Sequence, residues 1–184
     1  MRKSNATRTT SAGTNNLGVH VPRYDGDVSD PGVVSWQLGR PVRAFRGVAL
    51  RCPFGFPAVT EQEPLTSDGT PFPTSFYLTC PWLVTAVSRI EASGGVVAWT
   101  ERAAADDELG ESLAEAQREQ RSLRPELDVG IAGAADDSNV KCMHAHVAFA
   151  LAKPGYVLGE RMLADIDEPW CADARCAEAV EQLP

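Results

Sequence analysis

A chain of 184 residues, 43% apolar and 23% charged, has the make-up of one soluble globular domain long enough to bury a core. A net charge of −8 weighs against a nucleic-acid partner, which needs a basic face to displace counterions from phosphates. No apolar run approaches the roughly 20 residues of a membrane span and no signal-peptide core opens the chain, so a cytoplasmic protein without a membrane partner is expected.

Residues 1–29 lack hydrophobic period and are rich in Ser, Thr, Asn and Gly, the composition of a disordered tail. Four of the chain's 17 basic residues sit in its first 24 positions with no acid among them, leaving 13 against 25 acids in the remainder. The domain proper is expected over 30–168. It starts with a short helix, "DPGVVSWQLGR", with Asp30 as cap, Pro31 in the first turn and Gly39 at the end. "VRAFRGVALRC" alternates as a strand ending at Cys52, a second extended piece surrounds Ala58–Thr60, and "SFYLT" is a third strand beyond the turn at Asp68-Gly69.

"TCPWLVTAVSRIEASGG" predicts a helix over 80–93, capped at Thr79 and stopped by Gly94-Gly95. A longer acidic helix is predicted within 101–123, where Leu109, Leu113, Ala116 and Leu123 form a narrow seam. Such a seam suits one neighbour, either inside the chain or in a homodimer or protein partner. After a loop with capping candidates Asp136, Asp137 and Ser138, a helix over 139–152 carries the stripe Val140, Met143, Val147, Ala150 and Leu151. "GERMLADI" predicts a further short helix, and the acidic 169–184 reads as a loosely held tail. The class expected is α+β, a small sheet of about three strands packed against three to four helices.

Five cysteines in a reducing compartment are thiols, metal ligands or catalytic groups rather than a disulfide framework. Cys52 closes a strand, Cys80 opens a helix and Cys142 opens another. Element ends can converge on one tetrahedral ion, so Cys52, Cys80, Cys142 and one histidine make a candidate Cys3His site for zinc, with iron not excluded. His146 shares a helical face with Cys142 at i, i+4, whereas His144 meets Cys142 only if Cys142 is the cap; His144 is preferred for its nearness to the core stripe. Cys80 and Cys142, at helix N-termini, are expected to have depressed pKa values. Cys171 and Cys176 flank "ADAR" in the tail and are set aside as primary ligands.

The blocks "LRCPFGFPAVTEQEP", "DGTPFPTSFYLTCPWLVTAVSRIEA" and "VKCMHAHVAFALAKPG" together resemble the actinobacterial "domain of unknown function 501" family over about residues 33–166. The resemblance implies a small cytoplasmic protein of a family without an assigned activity, often encoded near a polyphosphate or guanosine-polyphosphate phosphatase and a septum-formation protein. The blocks carry Cys52, Cys80, Cys142 and His144, which strengthens the metal reading. Many relatives read Cys-Pro-Cys-Gly where this chain has Cys52-Pro53-Phe54-Gly55, so a ligand set using that extra cysteine does not exist here.

Three functions follow as expectations. The first is a small zinc-binding structural or regulatory protein. The second is a thiol enzyme, with Cys80 or Cys142 as nucleophile and a histidine base. The third is an interaction module acting through the acidic helix. No P-loop and no paired-carboxylate motif supports phosphate chemistry.

Overall fold

The computed structural model describes residues 12–14, 20–22 and 29–183. The expected disordered tail thus lies largely outside the described residues; within it β1 (Ala12–Thr14) and β2 (His20–Pro22) pair antiparallel. From residue 29 the chain is α+β. A three-stranded antiparallel sheet runs in the order β3 (Phe45–Arg51), β4 (Pro57–Gln62), β5 (Phe76–Leu78).

Five of the six residues of β4 are buried, as its central place requires, while β3 alternates towards solvent at the edge and changes register along β4. The β3–β4 turn is closed by Cys52 N–H to Phe56 O at 2.9 Å and Gly55 N–H to Cys52 O at 2.8 Å. Gly55 has φ +86°, a conformation that favours glycine.

Helix α1 (Asp30–Leu38) contacts β3 and β4. Its start differs from expectation: Ser29 is the cap residue, and the Asp30 carboxylate instead meets Arg51 Nη2 at 2.8 Å, joining helix to strand. Helix α2 (Pro81–Ala92) agrees with its predicted range, but Cys80 rather than Thr79 stands at the cap.

The single helix expected within 101–123 is two. α3 (Gly95–Ala105) begins where a stop was expected, and α4 (Asp107–Leu123) follows a break at Asp106. Gly94, at φ +91°, turns the chain between α2 and α3. Gly95 permits the close approach, because a Cβ there would lie 2.7 Å from Ile90 Cγ2 and Met143 Sδ. Asp106 is extended, and its carboxylate accepts from Glu108 N–H at 3.0 Å and Leu109 N–H at 3.2 Å, the N-cap role expected of the Asp106-Asp107 pair. Asp106→Ala should cost about 1 kcal/mol, which thermal melting would register as a drop of about 2–4 °C; no shift would mean the break does not depend on this cap.

The α4 seam is filled within the chain by α3, α6 (Val157–Ala164) and the 131–133 turn. Beside it Gln117 is fully buried, accepting from Ile131 N–H at 2.6 Å and donating to Asn139 O at 3.2 Å. That one amide fixes both ends of the loop leading to α5 (Met143–Ala152).

α5 is not the amphipathic helix expected. Ala145, His146, Ala148 and Phe149 are buried along with Met143, Val147 and Ala150, because the sheet, α2 and α6 surround it. Asp136 holds Ser138 and Asn139 in a loop turn rather than capping this helix. The tail expected after residue 168 is also packed: Ala174, Cys176 and Ala179 are buried, and α7 (Ala177–Gln182) lies on α1 around Val33 and Phe56. Small side chains let an acidic segment lie close against its neighbours. Among the described residues no helix is long and apolar enough to cross a membrane.

Candidate functional site

Two elements build the site, the start of α5 and one face of α2. Cys142 is the residue before α5, extended at φ −156° and ψ 118°, and its carbonyl accepts the first helical bond from His146 N–H at 3.2 Å. Placed at the cap, it escapes the helical divergence of residues two apart, and its Sγ comes to 3.9 Å from His144 Nδ1. On α2, Val84, Ser88 and Glu91 recur at helical spacing and line the ring of His144. Its Nε2 lies 3.2 Å from Val84 O and 3.1 Å from Ser88 Oγ, while Nδ1 lies 3.2 Å from Glu91 Oε2. The other Glu91 oxygen accepts from Met143 N–H at 2.6 Å, so a carboxylate from α2 caps α5.

The hydrogen-bond roles follow from the partners. A carbonyl only accepts, so Nε2 carries a proton towards Val84 O, and Nδ1 faces a thiol and a carboxylate. Two acceptors opposed at 3.2 Å require a cation between them, either a proton on Nδ1 or a metal ion. Without a metal the proton answers: the Cys142 sulfur and then Glu91 push His144 up to about 9, against the opposing effect of burial.

Glu91, Cys142 and His144 bring three ligand atoms within 4.8 Å of one another, alone in doing so among the described residues. Tetrahedral zinc with bonds of 2.0–2.3 Å implies ligand separations of roughly 3.3–3.8 Å, close to the 3.2 and 3.9 Å seen here. The His144 and Glu91 side chains are 24% and 25% exposed, leaving a way in for a solvent ligand.

The four residues singled out from sequence are therefore divided. Cys142 and His144 meet, joined by Glu91, whereas Cys52 and Cys80 belong to no such group of three. Cys80 also departs from its expected depressed pKa, since burial pushes its thiol up and outweighs the N–H groups of Leu83 and Trp82. His146 is fully buried on another side of α5, its Nδ1 2.7 Å from Tyr156 Oη.

Glu91 was missed. An acid in the last turn of α2 opposes the helix dipole, but nothing in the sequence says which group offsets it.

A family model described as "Protein of unknown function (DUF501)" matches residues 48–129. Over that stretch, less than half of the chain, the sequence is similar to this family. The matched residues include Cys52, Cys80 and Glu91 and end before Cys142 and His144, so the family match covers one wall of the site. No curated protein and no solved structure matches the chain.

Proposed function

We propose that this protein is a small metal-binding protein whose ion, zinc by ligand type, is held by Cys142 Sγ, His144 Nδ1 and Glu91 Oε2 with the fourth position open to solvent. The observation that carries the reading is the pairing of a converged thiol, imidazole and carboxylate with a second histidine nitrogen tied to Val84 O. Metal-bound histidines characteristically donate their other ring N–H to a backbone carbonyl, which fixes tautomer and ring orientation. A thiolate and an imidazole favour zinc over the hard, oxygen-seeking cations. Three protein ligands and one open position are the form of a site that can bind or activate a fourth ligand.

The test is Co2+ titration of untagged, reduced protein. One thiolate-to-cobalt charge-transfer band is expected that disappears in Cys142→Ser, with affinity falling roughly 10–100-fold or more in Glu91→Gln and His144→Ala. Absence of any band that depends on Cys142 would sink the reading.

The thiol-enzyme alternative rests on the same 3.9 Å contact between Cys142 and His144. It is less well served by the geometry, because Glu91 and the thiol share Nδ1 instead of occupying opposite ring nitrogens as an orienting acid and a nucleophile do. Alkylation separates the two. In chelator Cys142 should label ahead of the buried thiols and zinc should protect it, whereas rapid labelling that zinc does not slow favours the enzyme.

A further inference from the structure

The other four cysteines, left over from this site, are drawn together from three separate parts of the chain. Phe56 and the first two residues of β4 organise three of them. Cys52 closes the turn onto Phe56, immediately before β4, and Cys80 donates its backbone N–H to Ala58 O at 3.3 Å. Cys176 Sγ accepts from Gln37 Nε2 at 3.4 Å, and the same amide nitrogen donates to Pro57 O at 2.8 Å. Cys52 packs against both apolar clusters, the one containing Cys80 and the one containing Cys176.

The fourth, Cys171, is bracketed onto the start of α2 by Trp82. Its indole N–H donates to Glu168 O at 2.6 Å, and the Arg175 guanidinium lies 4.5 Å from its ring centroid. Between Cys171 and Cys176, Ala174 is held buried at φ +49°, a left-handed conformation unusual for an L-residue that this turn nonetheless adopts.

The geometry points to Cys52, Cys80, Cys171 and Cys176 as a second metal site, a four-thiolate zinc centre that fastens the 168–183 segment to the sheet and to α2. As placed, no three of these sulfurs lie within 4.8 Å of one another. The thiols are near enough to raise one another's pKa values, and a change between staggered χ1 rotamers carries a sulfur by roughly 3 Å, so the sulfurs would have to turn towards one another as the ion binds.

The environment suits thiolates bound to a cation and penalises thiolates without one. Backbone N–H groups of Phe54 and Phe56 face the Cys52 sulfur, and those of Leu83 and Trp82 face that of Cys80, the donors that stabilise metal-bound sulfur. Burial nevertheless pushes Cys176 up to about 12, and charge on Cys80, Cys52 or Cys171 would push it higher still. Binding is an exchange without redox change: four S–H bonds break, four Zn–S bonds form and four protons leave to solvent for each zinc.

The test uses the full-length protein carrying Glu91→Gln, Cys142→Ser and His144→Ala, under a thiol-free reductant. One equivalent of Co2+ or Zn2+ should still bind, with a tetrathiolate cobalt spectrum and about four protons released. Adding Cys171→Ser, the half-exposed member, should weaken it by roughly 100-fold or more. In the unmutated chain, zinc should slow proteolysis after residue 168 and a chelator should restore it, a readout that does not depend on any variant folding. The inference is overturned if the triple variant binds no metal. It is equally overturned if the proteolysis rate ignores zinc, or if mild oxidant yields a Cys171–Cys176 disulfide at the same rate with zinc present. Because Cys142, His144 and Glu91 are absent from that variant, failure here leaves the proposed first site standing, and the reverse.

Discussion

Replacing Phe149 by alanine should cost about 3–5 kcal/mol, the loss typical of a large aromatic removed from a packed interior. Its side chain is 1% exposed at the middle of α5. Its ring meets Phe76 of β5 edge-on at 5.6 Å and Tyr156 at 5.8 Å, so it joins sheet, central helix and the entry to α6 in one contact set. Truncation removes both edge-to-face pairs and leaves a void that α5, enclosed on several sides, cannot collapse to fill. Against a total stability of about 5–15 kcal/mol, one such change takes up a fifth or more of what holds a domain folded. Urea unfolding of Phe149→Ala and Phe149→Leu would measure it. The leucine variant should keep most of the stability, and a loss below about 1.5 kcal/mol for alanine would show that α5 is not the centre of the core.

That central role was not legible in the sequence, and the reason is physical. Of the stripe Val140, Met143, Val147, Ala150 and Leu151, the first four are buried as read and Leu151 is half-buried, but a helix with neighbours all round has no polar face to reveal its depth. Alanine is uninformative about burial, and His146 reads as polar although nothing of it reaches solvent. The elements with local punctuation fared better. α1 ends at Gly39 with φ +63°, α2 starts on Pro81, and β5 coincides with an aromatic run.

The Gly94-Gly95 pair misled because the same residues that terminate a helix also permit a sharp entry into the next. The site was half legible. Cys142 and His144 are neighbours in the chain, so their meeting needed only the cap geometry that the spacing allowed. Glu91 arrives from a helix more than fifty residues away, and nothing local announces which acid will face which histidine. Cys171 and Cys176 were set aside because an acidic composition looked solvated, whereas packing depends on the small residues between the charges.

Acid should destabilise the protein through His146, and by a larger amount than any exposed group contributes. The ring is fully buried; Nδ1 is 2.7 Å from Tyr156 Oη, and Nε2 finds no hydrogen-bond partner among the described residues. Burial alone drives its pKa down to about 3 from the ordinary 6.5, so the folded protein refuses a proton that the unfolded chain accepts. The sign follows directly. Above pH 6.5 both states hold the ring neutral and stability is unaffected. As pH falls from 6.5 towards 3 the unfolded state binds more protons, and stability declines by about 1.4 kcal/mol per unit. At pH 4.5 the loss reaches about 3 kcal/mol, comparable with a core truncation.

Other groups titrate in the same range, so the measurement must isolate this one. His146→Asn keeps a polar atom near the place of Nδ1 for Tyr156 and cannot take up a proton. Urea unfolding at pH 7 and pH 4.5 should show the natural protein losing about 3 kcal/mol more than this variant between the two conditions. Equal losses would mean that His146 becomes protonated within the fold. The buried ring would then have to find a partner for its second nitrogen, and α5 would have to open to supply one.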